Sequence, residues 1–265
     1  MPPPLQSALT AARAAGQILH DKFLHPREIT SKGWRDIVTD ADFAAQKAIL
    51  EILAKDFPDY AVLSEEGRRE AQADLAAPVP TWVIDPLDGT ANYSRQFPTY
   101  SVAIGLVHQG EILLGVIHDP MQDETFFAEK GRGAFIQYGC DPPQPMRVSR
   151  VADLGDVFVG VDWARDPGTR QRVLEALVRV GAEARTIRAI GSAALGLAYV
   201  AAGRLDGYYH LALQPWDVAA GAIIVTEAGG QLSAPDGGEW QLGLPQLVAS
   251  NSVLHQLLVK TLALA

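Results

Sequence analysis

The sequence predicts a mixed α/β fold, and three observations point to it. Two stretches near the start carry apolar residues at helical spacing, short strand-like segments joined by glycine turns follow, and beyond a proline-rich break strand-like and helix-like segments alternate.

In chain order, Leu5, Leu9, Ala12, Leu19 and Phe23 fall on one helical face and predict an amphipathic helix over 5–23. Ser31-Lys32-Gly33 reads as a flexible loop. A second helix is expected from near Thr39 to about Lys55, burying Phe43, Leu50 and Leu53. Val83 and Ile84 fit a buried strand that Pro86 and Gly89 stop. Residues 101–107 and 112–118 flank Gln109-Gly110 as a β-hairpin, and 124–128 with 134–138 extend an antiparallel sheet. Between Gly139 and Pro145 three prolines and a glycine interrupt all periodicity, which places the division between an N-terminal half, 1–140, and a C-terminal half, 141–265. In the second half strands over 157–161, 184–187 and 207–211 alternate with helices over 168–180, 192–202 and 216–227. No internal repeat is visible.

With 265 residues, 48% hydrophobic and 20% charged, the chain can bury a large core, and disorder is excluded. The net charge of -9, from 31 acids against 22 bases, disfavours nonspecific nucleic-acid binding. The single cysteine, Cys140, has no internal disulfide partner, and the start Met1-Pro2-Pro3-Pro4 lacks the basic and apolar regions of a signal peptide, so a cytoplasmic location is expected. Apolar stretches such as 193–202 fall short of the roughly 20 residues a membrane span needs.

The chemistry concentrates in Trp82-Val83-Ile84-Asp85-Pro86-Leu87-Asp88-Gly89-Thr90. Asp85 and Asp88 emerge together at the carboxyl end of a strand, where open α/β sheets bind ligands. Two acids held this close repel unless a cation lies between them, and a carboxylate-rich, thiolate-free set suits a hard ion such as Mg²⁺, with the Leu87 carbonyl as a further oxygen. Gly89 permits close backbone approach, and a helix starting near Thr90 would turn free N–H groups toward an anion. An ordinary turn capped by Asp85 fits the same residues.

Two further segments offer acids: Leu63-Ser64-Glu65-Glu66-Gly67, and Pro215-Trp216-Asp217-Val218-Ala219-Ala220-Gly221 at a helix start. Alone, the glutamates read as a solvated pair and Asp217 as a first-turn acid favoured by the helix dipole. Together and in this order, with Asp36 to Asp42, Lys130-Gly131-Arg132-Gly133-Ala134-Phe135 and Glu227-Ala228-Gly229-Gly230, they resemble the inositol monophosphatase family over nearly the whole chain.

The resemblance implies a layered α-β-α-β-α sandwich with the active site between its halves, and hydrolysis of a small phosphate monoester with two or three Mg²⁺ ions. Inositol 1-phosphate is the default substrate; fructose 1,6-bisphosphate, histidinol phosphate, NADP and phosphoadenosine phosphate are alternatives, as is a regulatory protein-binding role on the same fold. It also implies lithium sensitivity and a homodimer. Carried over, Glu65, Asp85 and the Leu87 carbonyl bind one metal and Asp85, Asp88 and Asp217 a second, while Glu65 and Thr90 orient the attacking water. Asp42 supports Thr90, although Thr39-Asp40-Ala41-Asp42 equally has the spacing of a helix capping box. Asp88, Gly89, Thr90 and Asp217 contact the phosphorylated substrate, and Gly191, Ser192 and Ala193 its leaving group, with helix capping an alternative for Ser192. Lys32 falls where relatives place a mobile loop. His210 stands where inositol-specific members carry a glutamate, a departure that weakens inositol specificity.

Overall fold

A computed structural model describes residues 2–25, 27–67 and 74–263. Helix α1 (Pro4–Lys22) leads into a hairpin of β1 (Ile29–Gly33) and β2 (Asp36–Thr39), then α2 (Asp40–Asp56). A seven-stranded sheet follows in simple sequence order: β3 (Ala61–Ser64), β4 (Thr81–Asp88), β5 (Ser101–His108), β6 (Glu111–Asp119), β7 (Glu124–Glu129), β8 (Ala134–Tyr138) and β9 (Gln144–Met146), with the short helix α3 (Thr90–Ser94) between β4 and β5. The remaining elements are β10 (Phe158–Val161), α4 (Pro167–Gly181), β11 (Thr186–Ala189), α5 (Ala193–Ala201), β12 (Gly207–His210), α6 (Pro215–Glu227), β13 (Gly230–Ser233), β14 (Leu247–Asn251) and α7 (His255–Leu262). Their strands form a second sheet in the order β11-β10-β12-β14-β13.

Three apolar clusters bind these elements into five layers. α1 and α2 pack on one face of the first sheet through Ala8, Ala15, Ile49, Trp82 and Ile104. α5 and α6 fill the space between the sheets, with Leu197, Ile224, Ile117 and Tyr208 in one continuous core. α4 and α7 cover the outer face of the second sheet through Val173, Val159 and Leu258. The architecture is therefore the α-β-α-β-α sandwich. β4 and β5 read as apolar runs because helices cover both faces of their sheet. Close contact of α6 with that sheet depends on Gly115, where an added Cβ would lie 2.4 Å from the Ala220 carbonyl oxygen. Among the described residues no helix is long and apolar enough to cross a membrane.

Three local expectations are corrected. Pro86 does not end its strand: β4 continues to Asp88, and between Asp85 and Asp88 the register against β5 shifts, a bulge that absorbs the missing proline N–H. Phe43 is 51% exposed, because the buried stripe of α2 runs through Ala41, Ala45, Ile49 and Leu53 instead. Ser31-Lys32-Gly33 belongs to β1, paired antiparallel with β2, so an exposed polar ladder stands where composition suggested a loop.

Candidate active site

Strand pairing brings the first acids together. β3 runs parallel to β4 with Ser64 opposite Ile84, and the Glu65 N–H donates to the Ile84 carbonyl at 3.1 Å, so Glu65 leaves its strand beside Asp85. Across β5, Asp85 pairs with Ala103 and Asp88 with Ser101; three steps on β4 match two on β5. This bulge re-aims the backbone so that both carboxylates reach one cavity.

The turn that follows is closed by side chains and crowding. Leu87 N–H donates to Asp85 Oδ1 at 3.0 Å, and Thr90 Oγ lies 3.0 Å from the Leu87 carbonyl and 3.2 Å from Asp42 Oδ1. Gly89 has φ +100°, and a Cβ there would meet the carbonyl oxygens of Gly191 and Thr99 at 3.1 Å each, so only glycine fits without strain. α3 begins directly after it, at Thr90.

Asp42 caps a helix and touches Thr90 at once. Its Oδ2 accepts from Thr39 N–H at 2.8 Å and Thr39 Oγ at 2.6 Å, capping α2, while Oδ1 faces Thr90. Burial pushes its carboxyl up to about 6.

The second sheet contributes the other wall. Ser192 caps α5 through Leu195 N–H and donates from Oγ to Asp88 Oδ2 at 2.5 Å; Ala194 N–H donates to the same oxygen at 2.7 Å. Asp217 accepts from Gln214 N–H at 2.7 Å at the start of α6. His210 Nδ1 accepts from Ala212 N–H at 3.0 Å, and burial followed by the nearby Arg165 charge lowers its pKa to about 4, so the ring is neutral with its proton on Nε2.

The candidate site residues line a single cavity of about 560 Å³, except Asp42, which stands behind Thr90, and Lys32. That volume lies within the roughly 300–1,000 Å³ of small-molecule sites. Lys32, placed in a loop by its sequence, reaches over the edge and binds Glu65 Oε1 at 3.0 Å and Glu66 Oε1 at 2.7 Å.

Asp162, directly after β10, is a wall residue that the sequence reading missed. It is buried, its Oδ1 accepts from Gly191 N–H at 2.6 Å and its Oδ2 from Tyr208 OH at 2.9 Å, and burial pushes its carboxyl up to about 7. An acid at the carboxyl end of a predicted strand was the available signal.

Electrostatically the cavity floor is strained toward protonation. Burial, then Glu65, Asp88 and Asp217, hold Asp85 well above the ordinary carboxylate range; burial, then Asp88, do the same to Asp217. Burial raises Asp88 too, against the downward pull of its Ser192 and Ala194 hydrogen bonds. As they stand, no three His, Cys, Asp or Glu side chains among the described residues are grouped to hold a metal ion. Each carboxylate leans on a protein donor: Glu65 on Lys32, Asp85 on Leu87, Asp88 on Ser192, Asp217 on Gln214. The donor set is nonetheless all oxygen and mutually repulsive, the chemistry that a hard divalent cation relieves.

A model of the inositol monophosphatase family matches residues 3–264. The chain is 38% identical over 260 residues to an inositol-1-monophosphatase of Mesorhizobium japonicum, covering 97% of this chain and 94% of that protein. It is 40% identical over 233 residues to the Nus factor SuhB of Xylella fastidiosa, covering 86% of this chain and 80% of the relative. The crystal structure of the extragenic suppressor protein suhB from Bartonella henselae superposes with a TM-score of 0.89 at 36% identity, covering 97% of each chain.

Proposed function

The chain belongs to the inositol monophosphatase family, and from that premise we propose that it is a Mg²⁺-dependent phosphomonoesterase acting on a small phosphorylated metabolite, with inositol 1-phosphate as the reference substrate. The observation that carries this reading is the convergence of Glu65, Asp85, Asp88 and Asp217 with the Gly89-Thr90 turn on one cavity.

Two or three Mg²⁺ ions held by Glu65, Asp85, the Leu87 carbonyl, Asp88 and Asp217 would supply Lewis-acid stabilisation of the phosphoryl charge and a more acidic attacking water. The protein's own part is positional. Gly89 and Thr90 N–H groups hold phosphate oxygens at the start of α3. Thr90 Oγ, kept in place by Asp42, orients the attacking water together with Glu65. Ser192 and Ala194 fix Asp88, while Gly191, Ser192, Ala193 and His210 flank the leaving group.

Magnitudes favour this electrostatic scheme. Phosphate monoester hydrolysis demands accelerations of up to ~10²¹, about 28 kcal/mol, of which one general base supplies only about 10²- to 10⁴-fold. Charge stabilisation and positioning must supply the rest.

The test is a panel of phosphorylated metabolites assayed after chelation and again with added Mg²⁺. Phosphate release that vanishes with chelator and returns with Mg²⁺ is expected; no hydrolysis of any ester with any divalent metal would overturn the reading. The likeness to a Nus factor supports a second reading, a protein-binding role on the same fold, which the intact carboxylate set does not require.

A further inference from the structure

One peptide unit of the leaving-group wall is held at both poles, from both halves of the molecule. The Ile190 carbonyl accepts from Asn92 Nδ2 at 3.0 Å, and the Gly191 N–H of the same peptide donates to Asp162 Oδ1 at 2.6 Å. Asn92 stands on α3, directly after the phosphate turn, and its Nδ2 also donates to the Thr99 carbonyl at 2.8 Å. Asp162 follows β10, and its Oδ2 accepts from the Tyr208 hydroxyl of β12 at 2.9 Å. Gly191 is confined between the two: its φ is +76°, and an added Cβ would lie 2.5 Å from Asn92 Nδ2.

What this peptide fixes is the chain that follows it. Ser192 Oγ reaches Asp88 Oδ2 at 2.5 Å, and the Gly191 carbonyl oxygen lies close enough to Gly89 to exclude a side chain there. Rotation of the peptide plane would move both. A carboxylate is moreover a costly group to bury where an apolar side chain could fill the same wall, unless its acceptor oxygens are needed. We propose that Asn92 and Asp162 are positioning residues, a two-sided clamp on the Ile190–Gly191 peptide that sets the Ser192 hydroxyl against Asp88 and so couples the phosphate turn of one half to the leaving-group wall of the other. This rests on the phosphatase reading above and adds to it two residues that act through Ser192 and Asp88.

The test measures Mg²⁺ affinity by isothermal titration calorimetry, and kcat and KM for inositol 1-phosphate, each per folded protein. Asn92→Ala and Asp162→Ala should each weaken Mg²⁺ binding and lower kcat by about 10- to 100-fold, as for groups that orient a metal ligand, with a smaller change in KM. Because both residues hold one peptide, the double variant should be little worse than the worse single variant. Asp162→Asn keeps an oxygen for the Gly191 N–H and should retain most of the activity. Asn92→Asp has nearly the same shape but turns an acceptor toward two carbonyls, and should do as much harm as Asn92→Ala. Wild-type Mg²⁺ affinity and kcat in Asn92→Asp would overturn the clamp, as would losses that multiply in the double variant, or an Asp162→Asn protein as damaged as Asp162→Ala. If the alanine variants fail to fold, the near-isosteric Asn92→Asp decides the matter. A wild-type enzyme that hydrolyses no ester with any divalent metal removes the phosphatase reading instead, and the calorimetry then judges the clamp by itself.

Discussion

Ser192 Oγ donates to Asp88 Oδ2 at 2.5 Å, joining the cap of a helix on one sheet to an acid on the other across 104 residues of sequence. One hydroxyl thus terminates α5 and aims a carboxylate. Ser192→Ala should cost about 1 kcal/mol as a lost cap and lower the melting temperature by a few degrees. It should also raise the Mg²⁺ concentration for half-activity and reduce turnover by about 10- to 100-fold, the usual effect of removing a group that orients a ligand. An unchanged Mg²⁺ titration would reduce Ser192 to a cap.

Asp85 faces the largest electrostatic opposition and the most central role. Asp85→Asn should abolish Mg²⁺-dependent hydrolysis and, measured in chelator, should stabilise the fold at pH 8. The sign follows from its raised pKa: above that value the wild-type carboxylate is charged and destabilising, whereas below the ordinary 3.8 it is protonated in both folded and unfolded chains. The gain in melting temperature should therefore shrink as pH falls toward about 4, and a gain independent of pH would contradict the assignment.

Gly89→Ala combines a positive φ with backbone contacts at 3.1 Å. Left-handed strain of about 1–2 kcal/mol and overpacking of about 1–3 kcal/mol predict a loss of about 2–5 kcal/mol by urea unfolding. A variant as stable as wild type would show that the turn relaxes freely.

His210→Glu adds an acceptor to the cavity wall beside Arg165. Preference should move toward inositol 1-phosphate, by no more than about a hundredfold, since one charged hydrogen bond is worth up to about 3 kcal/mol. Identical substrate ratios in both proteins would place His210 outside the specificity pocket.

A homodimer is expected from the family relationship, and sedimentation at micromolar concentration should show a species of twice the 28.5 kDa chain mass. A monomer at that concentration would reject it.

Signals carried by near neighbours were legible in the sequence itself. The spacing of Asp85, Asp88 and Gly89, the capping box of Thr39 and Asp42, and the periodicities of α1 and of the β5–β6 hairpin are set within a few residues, where backbone geometry acts directly. What only the tertiary structure decided lies between distant segments. Parallel pairing of β3 with β4 brought Glu65 beside Asp85, and a bulge against β5 let β4 continue past Pro86. Asp162 and Arg165 joined the site because β10 ends at the cavity. Such partners depend on which strands pair and in what register, and that choice is made by burial of whole faces rather than by any local pattern.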